Sequence, residues 1–319
     1  MNVLRVLTGA AAFAFACALS ANSAAYCLTY TCDMKKEHCL TDPDTGCNIG
    51  GTKLYWAAYT VSFDVQKDGS KRQDISAAQL ESVVTSAFQR WVDVLCSDGN
   101  HPGIQLSNFG LVTCAKPEYN TDQPNQNVIT FHDSEWPYEN TADTLALTTV
   151  FFKPDTGEIY DANIEINSYQ PNLDEPPRFA LGPGQANSNQ DDLNAVLTHE
   201  IGHFLGLSHS TDGNATMYSQ YKPGMTTLED DDIAAICESL PSARDMAPPG
   251  TPEGVPRHGF SRECGEPQSG CCSSTIGGNA PTNGPLALWA FGLGLAAWSG
   301  RGLAKRSARR KRSVRALPH

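Results

Sequence analysis

Residues 199–209 read His-Glu-Ile-Gly-His-Phe-Leu-Gly-Leu-Ser-His, and no other stretch restricts the possible folds as much. Upstream, Leu193, Val196 and Leu197 stand at helical spacing, so a helix starting near Asn189 or Asp191 is expected to run into the motif. His199 and His203, at i and i+4, then share a face with their rings roughly 6 Å apart. That separation lets both reach one ion at the ~2 Å of a zinc–nitrogen bond. His209 lies six residues past His203, where a straight helix would turn it away. Gly206 enters the left-handed conformation at little cost, so it can end the helix and bring His209 back beside the other two. Ile201, Phe204 and Leu205 face the core. Three imidazoles leave the fourth tetrahedral position open, the pattern of a catalytic rather than a structural zinc site. Glu200 sits next to the first ligand, where it can take a proton from water without joining the ligand set.

The flanking sequence sets this motif in an oxidised, exported chain. One basic residue, Arg5, precedes an apolar run from Ala10 to Leu19 and the small residues Ser23-Ala24-Ala25, the order of a secretory signal peptide over residues 1–25. Of 11 cysteines, Cys17 lies in that segment and Cys271 and Cys272 are adjacent near the end, leaving eight in the body. An even number suits disulfides, although one sequence does not give their pairing; a zinc knuckle at Cys27, Cys32, Cys39 and Cys47 is the competing reading. The formal charge of −12 conceals an asymmetry, since eight basic residues lie between Arg301 and Arg315. Residues 26–300 carry 14 basic against 35 acidic side chains, a surface that disfavours nucleic acid and anionic lipid.

Along the chain, 26–48 is a cysteine-rich lead-in and 49–241 the main domain. Leu54–Val65 alternates as a strand. Ile75–Leu95 has Leu80, Val83, Val84, Phe88, Trp91 and Val92 at helical spacing. Thr144–Phe152 and Glu158–Ile166 are β-rich runs joined by Lys-Pro-Asp-Thr-Gly, which predicts a hairpin. A closing helix is expected from about Thr227, with a Thr227/Asp230 capping box and acids that complement the helix dipole. The Pro- and Gly-rich stretch 242–270 reads as a linker. Residues 271–319 read as an appended tail.

The motif, with its third histidine and glycine, resembles that of metzincin proteases, and Thr216-Met217-Tyr218 resembles the Met-turn beneath the metal in that clan. Ser210 after His209 and Tyr218 after Met217 bring it closest to matrixins, although Ser219 stands where matrixins usually have proline. The resemblance implies an α+β catalytic domain with a twisted mixed sheet, an active-site helix and a C-terminal helix. It implies one catalytic zinc on His199, His203 and His209, with Glu200 as general base in peptide-bond hydrolysis. Leu145, Ala146, Leu147 and Thr148 resemble the edge strand along which substrate lies as an added strand, binding by backbone, with Tyr218 at the wall of the pocket; a fully paired internal strand is the other reading. Asp161, Asn163 and Glu165 alternate along one strand face near where matrixin acids bind calcium; a solvated strand face is the other reading. The Pro-Arg-Cys-Gly latency switch of many matrixins does not occur in the sequence. Cys271-Cys272, the apolar run Leu286–Trp298 and the basic cluster 309–312 resemble the myxobacterial C-terminal sorting signal, implying attachment at the cell surface through the cysteine region. Protein or peptide substrates follow from this reading. The alternative is a non-catalytic surface-binding protein on the same scaffold.

Overall fold

A computed structural model describes residues 24–32, 38–138, 144–172, 174–182, 190–243 and 254–265, and the backbone of 291–292. The signal segment, Cys271, Cys272, the basic cluster and all but residues 291–292 of the apolar run fall outside the described residues.

The expected first strand is two. β1 (Tyr55–Trp56) and β2 (Thr60–Gln66) are separated by a bend at 57–59. β1 pairs with Glu158 and Ile159, whereas β2 lies between β3 (Gln105–Val112) and β4 (Val128–Phe131). Alternation placed strand on both sides of the bend but reveals neither the break at 57–59 nor which neighbour each half takes. β2 is buried on both faces. Val61, Phe63 and Val65 join the apolar core, so by the two-residue period Ser62, Asp64 and Gln66 point to the opposite face.

The hairpin forms where expected, as β5 (Ala146–Phe152) antiparallel to β6 (Glu158–Ile166). The sheet runs β3-β2-β4-β6-β5, parallel except for β5, with β1 also on β6. A two-residue strand, Phe291–Gly292, meets the outer side of β5 at Thr149 and Val150 only. The outer edge at Ala146–Thr148 has no strand partner among the described residues. A second small sheet pairs Phe179–Ala180 with Asp191–Asp192.

One face of the main sheet carries α1 (Ala77–Val92) and α2 (Leu193–Phe204). Ser76 caps α1 with a capping box to Gln79. Leu80, Val84, Ala87, Phe88 and Trp91 are buried on one side, as the helical spacing predicts. Phe88 stacks on Phe63 at 4.5 Å and meets Phe204 edge-on at 5.1 Å, so α1, β2 and α2 share one aromatic contact. Burying each such ring stabilises the fold by roughly 1.5–3 kcal/mol.

The opposite face is polar and covered by loops. Asn127 bridges β2 and β6: its amide donates to the Ser62 carbonyl at 2.8 Å and its Oδ1 accepts from Ala162 N–H at 3.0 Å. Part of the expected linker is in fact docked there. Gly254 bridges to Val61, Phe260 bridges to Asn125, and Cys264 is disulfide-bonded to Cys114. The other pairs are Cys27–Cys47, Cys32–Cys39 and Cys96–Cys237. All eight body cysteines are therefore oxidised and none serves a zinc knuckle.

Asp64 lies under this cover with Asn127 N–H as its hydrogen-bond donor, at 3.3 Å. Burial pushes its carboxyl up to about 7, against the opposing pull of that bond and of Arg262, while nearby Asp161 is also raised by burial. A carboxyl that is weaker in the folded than in the unfolded chain stabilises the fold when protonated. Its contribution is full below the unfolded value and is lost as pH rises toward and past 7. Stability of the wild type is thus expected to fall by up to about 1.4 kcal/mol per pH unit and per group over this window. Asp64→Asn, which keeps the shape of the neutral acid, should flatten the slope. Urea midpoints at pH 5, 6, 7 and 8 for both proteins test this; parallel slopes would refute the assignment to Asp64.

Candidate active site

α2 begins two residues or more later than the sequence suggested, with Asp192 as its N-cap accepting from Asn194 N–H at 3.0 Å. It ends at Phe204, and Gly206 takes φ +96°, the left-handed turn that reverses the chain. The Trp91 indole donates to the Thr198 carbonyl and the Trp56 indole to the Phe204 carbonyl, both at 2.8 Å. The second of these satisfies a last-turn acceptor that has no partner within the helix.

The turn brings the three histidines together. His209 Nε2 lies 3.3 Å from His199 Nε2 and 3.1 Å from His203 Nε2. Two of the second ring nitrogens face carbonyls: His199 Nδ1 is 2.7 Å from the Thr216 oxygen and His203 Nδ1 2.9 Å from the Leu207 oxygen. A carbonyl only accepts, so each Nδ1 carries the hydrogen and each Nε2 lone pair is turned toward the common centre. Burial holds all three rings below the usual histidine range, His209 to about 3, so they are neutral at pH 7. An ion ~2.0–2.1 Å from each nitrogen at tetrahedral angles sets the nitrogens ~3.3 Å apart. The donor set fits zinc. The other metal-capable cluster among the described residues, Cys114, Glu118 and Cys264, has both sulfurs in a disulfide and offers no thiolate.

His209 rides on a segment held from both sides. Thr29 N–H donates to the Gly206 carbonyl at 3.0 Å, Ser208 N–H to the Cys27 carbonyl at 2.8 Å and Thr211 N–H to the Ala25 carbonyl at 3.0 Å, so residues 25–29 run antiparallel along it, with one bridge between Leu28 and Leu207. On the other side Ser210 N–H donates to the Met217 carbonyl at 2.9 Å and Ser210 Oγ to Asp231 Oδ2 at 2.6 Å.

Met217 is buried under α2. A β-carbon placed on Gly202 would stand 2.2 Å from the Met217 sulfur and 3.0 Å from its methyl, so glycine between the two helical ligands is what lets the turn approach. Met217 N–H and Thr216 N–H donate to Asp232 at 3.0 and 2.8 Å. Asp232 belongs to α3 (Asp230–Ser239), whose N-cap is Glu229 rather than Thr227; Glu229 N–H also donates to Asp232, at 2.9 Å. The cap shifts because it is the buried Asp232, not the exposed Asp230, that folds back on the helix start. From sequence Gly202 has no assigned role, and Asp231 and Asp232 read only as complements to the helix dipole. Tyr218 is half-buried, bridged to Ser210, with Lys222 5.1 Å above its ring.

Glu200 is buried, and burial pushes its carboxyl up to about 7 against a hydrogen bond from Thr148. Thr148 lies on β5, which puts Leu145, Ala146 and Leu147 beside the site. Leu145 and Ala146 bury their side chains, leaving backbone along that edge.

The residues expected for calcium, Asp161, Asn163 and Glu165, are all buried, so they do not form the solvated strand face of the other reading. Both Glu165 oxygens are taken, by His132 Nε2 and Tyr138 OH at 2.6 Å each. Asn163 donates to Asp161 and accepts from Val128 N–H. Calcium requires six to eight oxygens, and Glu165 and Asn163 are instead spent on fastening loops and the start of β4. Asp161 Oδ2, by contrast, is buried with no hydrogen-bond partner among the described residues.

A mixed sheet above a helix bearing two of three histidines, with a glycine turn and a methionine turn below, defines the metzincin class of fold. Residues 55–239 match the matrixin family of peptidases, and the chain belongs to that family. It is 25% identical over 186 residues to Metalloendoproteinase 1-MMP of Arabidopsis thaliana, covering 58% of this chain and 44% of that protein. It is 26% identical over 203 residues to karilysin of Tannerella forsythia, covering 61% and 35%. With human matrilysin it shares 34% identity over 108 residues, 33% and 34% of the two chains. The chain thus spans less than half the length of each of these relatives.

Proposed function

We propose that this chain is a zinc-dependent endopeptidase, exported and held at the cell surface, that hydrolyses peptide bonds in proteins with Glu200 as general base. The observation that carries the reading is the convergence of three neutral Nε2 atoms at 3.1 and 3.3 Å beside a buried carboxylate. His199, His203 and His209 would hold the zinc. When bound, zinc supplies Lewis-acid polarisation of the scissile carbonyl and makes water more acidic. Glu200 takes the proton from the attacking water and delivers it to the departing amine nitrogen, so its charge is restored at the end of the cycle. The open edge of β5 at Ala146–Thr148 orients an extended peptide by main-chain hydrogen bonds. Family membership and the names of the relatives support this activity.

Export rests on residues 1–25 and surface retention on Cys271, Cys272 and the basic tail, all read from sequence. Removal of the tail should release activity from the cell surface to the medium, measurable by fractionation.

The test of the activity is hydrolysis of an unfolded protein by the purified chain. Cleavage is expected to stop on zinc chelation and to return on adding zinc. No cleavage by folded protein carrying one zinc would favour the binding-protein alternative.

A further inference from the structure

The Thr148 hydroxyl sits 2.6 Å from Glu200 Oε2 and 3.1 Å from the carbonyl oxygen of the same residue. Both residues are buried, so the bond is made away from bulk water. A hydroxyl has one proton to donate, and 2.6 Å to a carboxylate oxygen is the length of a charge-assisted bond, the stronger of the two. Thr148 pairs with Ile164 in the β5–β6 ladder, so its backbone is fixed by the sheet. Its branched β-carbon restricts χ1, so the hydroxyl is presented in one direction without further loss of freedom.

We infer that Thr148 is a positioning residue for peptide hydrolysis: its hydroxyl anchors Glu200 Oε2 and so fixes the plane in which the other oxygen, Oε1, meets the attacking water. The inference rests on the reading of Glu200 as general base. Glu200 lies inside α2 and its side chain has three torsions, and a carboxylate free to rotate presents its basic lone pair correctly only part of the time. The anchor is supplied by the same strand whose outer edge would bind the substrate, so the peptide and the base are aligned by one element. A strand residue with an apolar side chain of the same shape would support the fold equally well and leave the carboxylate unheld.

The test uses the full zinc-loaded chain and an internally quenched peptide, with zinc per chain and thermal midpoint measured alongside. Thr148→Val, which keeps shape and strand preference, should lower kcat about 100-fold. KM should stay within about twofold and zinc at one per chain. Thr148→Ser, which restores the donor on a freer torsion, should recover kcat to within about fivefold of wild type. In a Glu200→Gln background Thr148→Val should cost nothing more, whereas a purely structural role would lower activity and midpoint in both backgrounds. Should the valine variant not fold, Thr148→Ala takes its place in the same comparison. Wild-type kcat in the valine variant, or a serine variant as slow as valine, overturns the inference while leaving Glu200 as base. Turnover retained by Glu200→Gln overturns the general-base reading and this inference with it.

Discussion

Glu200→Gln is expected to lower kcat by about 10²–10⁴-fold, the usual contribution of a positioned general base, while zinc stays at one per chain and the thermal midpoint changes little. The substitution keeps the shape of the side chain, and its carbonyl oxygen can still accept from Thr148, which lies 2.6 Å from Oε2 in the wild type. What is lost is the capacity to hold and return a proton. Zinc should be retained because the three converging nitrogens belong to His199, His203 and His209; the first two are oriented by the Thr216 and Leu207 carbonyls, and none of these bonds involves Glu200. The environment of the carboxyl suits the task. Burial raises it to about 7 against the Thr148 hydrogen bond, which makes it more basic than a carboxylate in water, as the proposed role requires. The measurement is kcat and kcat/KM on one peptide, with metal content by elemental analysis. A glutamine variant within tenfold of wild type, fully zinc-loaded, would sink the assignment.

The parts of this site that the sequence made legible are those encoded locally. Two histidines a helical turn apart and a glycine three residues later specify their own geometry, because the helix repeat and the left-handed turn depend on near neighbours. The β5–β6 hairpin was legible for the same reason. The partners that come from elsewhere were not. Thr148 reads as one more β-branched residue in a strand, and only the packing of β5 beside α2 puts it on Glu200. Gly202 reads as an ordinary x in the motif until Met217 is placed beneath it. The disulfides Cys96–Cys237 and Cys114–Cys264 span sequence separations of 141 and 150, for which spacing carries no signal. Residues 254–265 have the composition of a linker. They dock because Cys264 is tied to Cys114 and because Arg257 pairs with Glu158 and lies 4.0 Å above the Tyr160 ring.

The acids at the start of α3 make the sharpest case, since all were read as complements to the helix dipole, whereas Asp231 accepts from Ser210 Oγ beside His209 and Asp232 does more still. Asp232 is fully buried and accepts three main-chain N–H groups: Thr216 and Glu229 on Oδ2, Met217 on Oδ1. It fastens the methionine turn to the closing helix, and that turn supplies the Thr216 carbonyl that orients His199. Asparagine has one acceptor oxygen and one donor nitrogen, so Asp232→Asn must leave at least one buried N–H facing another donor. The expected cost is about 2–4 kcal/mol in stability, from lost charge-assisted bonds and an unsatisfied buried donor. Zinc affinity should weaken as well, because the His199 tautomer is less firmly held. Asp230→Asn makes the same charge change two residues away on an exposed side chain, where only the dipole interaction of about 0.3–1 kcal/mol is at stake. Urea midpoints and zinc competition against a chromogenic chelator, run on both variants, separate the two roles. If the two variants were equally stable and bound zinc equally well, Asp232 would be one more helix-end acid and the methionine turn would have to be held by packing alone.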